Sequence, residues 1–162
     1  MSTRCRIGIK NENGTITSIY CHHDGYPEGV GKTLVENYQT EEKIRKLLAL
    51  GDMSSLGNEP VDNPNAWNDA ALREAMKNGN YLEAYKQLNP DDMCNTYKSR
   101  GEDVPASDSE DEKQYLKDTD SCWGEFAYLF KDGQWFVKGI YAEEMEEPLD
   151  WITVDEALRR NK

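Results

Sequence analysis

Apolar and polar residues alternate at the start of the chain, where Cys5, Ile7 and Ile9 are interleaved with Arg4, Arg6, Gly8 and Lys10. That two-residue period belongs to a half-buried strand. Asn11-Glu-Asn-Gly14 supplies a turn and Thr15 to Cys21 reads as a second strand, so the chain opens with a β-hairpin. Two registers compete. A type I turn with Gly14 in the left-handed bulge position pairs Asn11 with Thr15, placing Ile7 opposite Ile19 and Cys5 opposite Cys21. A two-residue Asn13-Gly14 loop instead sets Ile7 against Tyr20 and Ile9 against Ser18. The first is preferred, because it pairs apolar with apolar and leaves Arg4, Arg6, Tyr20 and His22 together on the other face. A second hairpin is signalled by Phe126, Tyr128 and Phe130 before Asp132-Gly133 and by Trp135 and Val137 after it, with Phe130 facing Trp135 and Tyr128 facing Val137.

Helical spacing occupies much of the remainder. Pro27-Glu28 opens a helix carrying Val30, Leu34, Val35 and Tyr38, and Thr40 caps a second, with Ile44, Leu47 and Leu48, that ends at Leu50-Gly51. Leu72, Ala75 and Met76, then Tyr81, Leu82, Tyr85 and Leu88, form two short helices parted at Asn78-Gly79. Thr153-Val-Asp-Glu156 is a capping box for a last helix through Leu158, preceded by an acidic linker from Glu143 to Asp150. Residues 51–66, rich in Gly, Asn, Asp, Ser and Pro, read as a long inserted loop. Residues 103–120 read as a solvated acidic loop with a short helix around Gln114 to Lys117. The whole chain, 1–162, is predicted to be one α+β domain: two antiparallel β-hairpins in one sheet, packed against several short helices.

Charge narrows the partners. Nineteen Lys and Arg against 31 Asp and Glu leave a formal charge of -12, which disfavours direct binding to nucleic acid or an anionic membrane and favours a basic partner surface or simple solubility. No apolar run approaches the ~18 residues of a membrane span, and the opening residues lack a signal peptide's apolar segment. The four cysteines, Cys5, Cys21, Cys94 and Cys122, are scattered without a C-x-x-C pair. Reduced thiols in a cytoplasm are expected, with no metal or other cofactor.

Candidate chemistry concentrates in Tyr20-Cys-His-His-Asp-Gly-Tyr-Pro-Glu-Gly-Val-Gly-Lys-Thr33, which holds both histidines of the protein. Gly31-Lys32-Thr33 looks like the end of a phosphate-binding P-loop, but the glycine required five residues earlier is Tyr26. A metal site from His22, His23 and Asp24 is disfavoured, since neighbours on an extended chain point opposite ways and one histidine with one carboxylate is too few. Acid-base chemistry by a histidine oriented by Asp24 or Glu102 has its ingredients in place. Arg100-Gly101-Glu102 presents a guanidinium and a carboxylate from one turn. The candidate functional residues are therefore Arg4, Arg6, Tyr20, His22, His23, Asp24, Tyr26, Lys32, Arg100 and Glu102. If the loop and the turn share a cleft, His22, Asp24 and Tyr26 lie near Arg100 and Glu102. The bland alternative has Asp24 capping its own turn, Tyr26 resting on the hairpin and Arg100 paired with Glu102 or Asp103 on the surface.

Thr3-Arg4-x-x-Ile7, Tyr20-Cys-His-x-Asp-Gly-Tyr-Pro27 with Gly31, Leu50-Gly-Asp-x-Ser-Ser-Leu56, Tyr97-x-x-Arg-Gly-Glu102 and Tyr128-x-Phe-x-x-Gly-x-Trp135 together span most of the chain. As a set they resemble a family of small phage and prophage proteins with no established activity. The chain departs from that family at His23, where relatives often carry an aromatic residue, and in the acidic 103–120 segment. The resemblance implies a viral or mobile-element origin and action in the bacterial host cytoplasm. Two expectations follow. The leading one is a non-enzymatic acidic binding protein, an inhibitor whose carboxylates occupy the basic surface or nucleic-acid channel of a host defence or nucleic-acid-processing complex. The alternative is a small-ligand protein, either a nucleotide-signal sponge or a small enzyme on a phosphorylated substrate, with Arg4, Arg6, Tyr20, His22 and Lys32 meeting the anion.

Overall fold

A computed structural model describes residues 2–140 and 151–160. The acidic linker from Glu143 to Asp150 lies outside the described residues. Strands β1 (Cys5–Lys10) and β2 (Ile16–Cys21) form the first hairpin. Ile7 stands opposite Ile19 and Cys5 opposite Cys21. Gly14, at φ 88°, occupies the left-handed position that the bulged turn demands of its last residue. Strands β6 (Phe126–Lys131) and β7 (Gln134–Gly139) form the second hairpin, with Phe130 opposite Trp135 and Tyr128 opposite Val137. Asp132 and Gly133 both have positive φ, as a two-residue hairpin turn matched to strand twist requires.

One sheet contains both hairpins, joined by a parallel pairing of β1 with β6. Four short strands extend it: β3 (Met53–Ser55), β4 (Asn95–Thr96), β5 (Ser107–Ser109) and β8 (Ile152–Thr153). The order is β4-β3-β2-β1-β6-β7-β8, with β5 also on β2. Helices α1 (Lys32–Asn37), α2 (Glu41–Leu48) and α6 (Val154–Arg160) accompany one face of the sheet. Ile7, Ile19, Leu34, Tyr38, Ile44, Leu47, Met53 and Tyr128 are fully buried in the core there. The expected caps are present: Thr40 Oγ1 accepts from Lys43 N (3.3 Å) and Thr153 Oγ1 from Glu156 N (3.1 Å). Helices α3 (Asp69–Met76) and α4 (Tyr81–Leu88) form a helical hairpin that packs chiefly on itself.

Two stretches expected to be loops carry structure. Residues 51–66 contain β3 and a bridge between Asp62 and Cys94. Residues 103–120 contain β5 and most of α5 (Glu112–Ser121), which includes the short helix expected around Gln114 to Lys117 and extends beyond it at both ends. The reason lies in the second face of the sheet. Tyr115 is fully buried there with Ile16, Ala127 and Leu129, and its hydroxyl donates to Tyr128 O at 2.6 Å. A polar-looking segment is therefore a helix whose few inward residues cover one end of the sheet. At its N-terminus Glu112 bridges Lys10 (2.9 Å) and Lys131 (3.0 Å), the ends of β1 and β6. Burial pushes the Glu112 carboxyl up, but the two ammonium groups outweigh it and hold it below the usual range. Glu112→Gln is expected to lose about 1 kcal/mol at neutral pH. Because the folded-state value is depressed, that contribution is present above ~4.3 and disappears as pH falls through the lowered value. Urea titrations of both proteins across that range check it: their stabilities converge in acid.

Candidate functional site

The stretch from Tyr20 to Thr33 leaves β2, crosses the end of the sheet and enters α1. Its first residues prolong the parallel pairing with β3, since His22 N–H donates to Met53 O (3.1 Å) and His23 N–H to Ser54 O (2.9 Å). At Asp24 the backbone turns left-handed (φ 59°). Gly25 N–H then donates to Thr3 O (2.8 Å), and Gly25 O accepts the buried Tyr128 hydroxyl (2.6 Å). Val30 N–H returns to Asp24 O (2.8 Å) as the chain passes through a π-helical turn, Pro27–Gly31, into α1. Glycine serves packing here. A Cβ on Gly25 would stand 2.7 Å from Thr3 O, and one on Gly29 2.4 Å from Asp24 O. Loop backbone approaches loop backbone.

The side chains divide between two surfaces. On the sheet's second face, beyond the end covered by α5, Tyr20 and His22 are joined through the phenol and Nδ1 at 2.6 Å. Arg4 acts electrostatically on both. Burial, helped by Tyr97, pushes the Tyr20 phenol up to about 12. Burial first, then the positive influence of His23 and Arg4, holds the His22 imidazole below its ordinary value. Tyr97 brings its own group: its ring stacks on Trp67 at 5.9 Å, and the Arg100 guanidinium lies 4.5 Å from the Trp67 ring centre and 5.0 Å from that of Tyr97. Arg100 also grips Glu102 through Nε and Nη2, both at 3.1 Å. Arg6 shares the face but is buried. Its Nε donates to Ser18 Oγ (2.9 Å), and its Nη2 to Ser18 O (3.1 Å) and Ser107 Oγ (2.9 Å), so it ties β2 to β5.

Asp24 and Lys32 line the other surface together with His23, which borders both groups because its ring also meets that of His22. Asp24 accepts the Tyr26 hydroxyl (3.1 Å), and that bond raises the phenol's pKa. Three adjoining concavities, of about 350, 280 and 750 Å³, run along the exposed side of α1. The first is lined by Asp24 and Asp91, the second by Asp24, Glu28 and Glu36, and the third by Glu28, Glu36 and Asp155. Lys32 and His23 are the basic residues lining them. None of the three includes His22 or Arg100, so the cleft expected to unite His22 and Asp24 with Arg100 is not among them. Arg100 instead pairs within its own turn.

No family model matches this chain. Neither a curated protein nor a solved structure matches it either.

His22 and His23 do not point apart as an extended chain would place them. Their rings meet edge to face at 4.6 Å, while His22 Nδ1 contacts Tyr20 and His23 Nδ1 contacts Ser2 Oγ (2.9 Å). Among the described residues no three His, Cys, Asp or Glu side chains gather as metal ligands. The surroundings of His22 give a direct check: an NMR titration should find its imidazole below the usual range, and Arg4→Ala should move it upward. An unshifted His22 in either protein contradicts this electrostatic picture. Sequence reasoning missed Trp67 and Asp91. Trp67 is placed by its Nε1–H bond to Thr96 O (2.7 Å), a long-range contact with no local signal, and Asp91 follows α4 in a polar segment like any other. Tyr97 was visible in the Tyr97-x-x-Arg-Gly-Glu102 motif, but its stacking on Trp67 was not.

Proposed function

We propose that the protein is a non-enzymatic acidic binding protein, encoded by a phage or mobile element, that inhibits a host defence or nucleic-acid-processing complex by occupying a basic surface. Support comes chiefly from the acid-lined concavities along α1. Nine described lysines and arginines are engaged by seven glutamates in ion pairs, and over the whole sequence carboxylates outnumber basic residues 31 to 19. None of those pairs uses an aspartate, and Asp24, Asp91 and Asp155 all line the concavities. Such short carboxylates stay close to the backbone, so they present charge with little conformational entropy to lose on binding. Among the described residues no helix is long and apolar enough to cross a membrane. Affinity capture from a bacterial host lysate at low salt, together with phage plating on defence-bearing strains, tests the proposal. A stoichiometric partner and a plating advantage are expected; absence of both overturns it.

A second reading, the nucleotide sponge or small enzyme on a phosphorylated substrate, draws on the sheet face instead. Arg4 acts there on Tyr20 and His22, and a guanidinium near aromatic rings suits a phosphorylated heterocycle. A melting-shift screen over a nucleotide panel, followed by mass spectrometry of the mixture, separates sponge from enzyme. A shift abolished by Arg4→Ala supports this reading, and no shift with any compound ends it.

A further inference from the structure

Among the described residues, the hairpin of α3 and α4 leaves an apolar face uncovered. Met76, Tyr81, Leu82 and Tyr85 are 40%, 57%, 59% and 41% exposed. On α4, Tyr81, Leu82 and Tyr85 fall on neighbouring positions of one side, with the two tyrosine rings stacked at 6.0 Å, while Ala84 faces inward. Single exposed apolar residues are ordinary on a protein surface, but a contiguous group of large ones marks a contact surface. The hairpin is also held in place. Asn63, buried, donates to Leu88 O (2.8 Å) and to Asn95 Oδ1 (3.0 Å), and Asn95 Nδ2 donates to Asn89 Oδ1 (2.9 Å). This amide cluster fixes the end of α4 against the sheet edge.

That placement joins the apolar face to the acidic one. Tyr85 belongs to the exposed group and also lines the concavity that contains Asp24 and Asp91. An occupant that covers both must bring apolar anchors to α4 and positive charge to the concavity. A second copy of this chain has the wrong sign, since each copy carries a formal charge of -12.

We infer that the face formed by Tyr81, Leu82 and Tyr85, with Asp24 and Asp91 beside it, is the docking surface for a basic amphipathic segment of a partner protein. The inference rests on the proposed acidic binding function and specifies where that binding occurs. Apolar side chains of the segment cover α4, and its lysines and arginines enter the concavity.

Two synthetic helical peptides of equal positive charge test this, one with leucines along one face and one with those leucines replaced by glutamine. The leucine peptide is expected to bind about tenfold or more tightly. Its amide shifts should map to α4 and Asp91. Leu82→Asn with Tyr85→Ala, both at exposed positions, should weaken the leucine peptide about tenfold and leave the glutamine peptide unchanged, whereas Asp24→Asn with Asp91→Asn should weaken both. Equal affinity of the two peptides overturns the inference, as do shifts confined to another surface or a dimer of the protein formed through α4. The two levels separate cleanly. If a captured host partner binds the Leu82→Asn, Tyr85→Ala protein undiminished, this docking surface is wrong and the binding function stands. If the peptides behave as stated yet no host partner exists, the surface stands and the function does not.

Discussion

Replacing Gly29 with alanine is expected to destabilise the protein by about 3 kcal/mol, because the new Cβ has no room. It would stand 2.4 Å from Asp24 O and 3.0 Å from Asp24 Cβ. Asp24 O already accepts the Val30 N–H, so it cannot withdraw without breaking the bond that closes the loop. The nearest obstacle is backbone, which shifts only by moving the whole turn, and Asp24 is itself held at a positive φ. Chemical denaturation checks the magnitude. An alanine variant with wild-type stability would show that the loop has slack.

Tyr115→Ala should be comparably damaging, at about 3–5 kcal/mol, and it tests the second face of the sheet. The ring is fully buried with Ile16, Ala127 and Leu129, lies nearly parallel to Trp151 at 6.4 Å, and carries the hydroxyl bonded to Tyr128 O. Truncation removes the apolar cover and opens a cavity beneath α5. Tyr115→Phe separates the two contributions: it keeps the ring, removes only the hydrogen bond and should cost about 1 kcal/mol. Near-neutral behaviour of the alanine variant would mean that α5 does not hold the sheet and that residues 103–120 are a loop in solution.

These two positions also mark the limit of what the sequence discloses. Both hairpins were legible, register included, because alternation with a turn residue at the right offset fixes which side chains face each other. Caps at Thr40 and Thr153 announced their helices for an equally local reason. The parallel pairing of β1 with β6 had no such signal, since the strands are far apart in sequence and their contact depends on everything between them. Strands β3, β4 and β5 are two or three residues long, too short for a period to appear. Helix α5 buries Tyr115 and Thr119 among eight other residues that are mostly polar, so its inward side hides in an acidic run.

The site was read less completely than the fold. Arg4, Tyr20 and His22 share a face, as strand alternation requires. Arg6 shares it too, but β5 seals it against Ser107, and the sequence of an apparent loop could not reveal that. Asp24 parts from His22 because the chain turns left-handed between the strand and the helix. Burial alone therefore distinguishes a structural arginine from an available one, and it follows from long-range pairing.

The salt dependence of binding to the captured host partner tests the central claim most directly. If carboxylates at Asp24, Asp91 and Asp155 meet a basic surface, the dissociation constant should rise about tenfold or more between roughly 0.05 and 0.5 M salt, and changing all three to asparagine should flatten that slope. An affinity indifferent to salt, or a slope unchanged by the three substitutions, would contradict it.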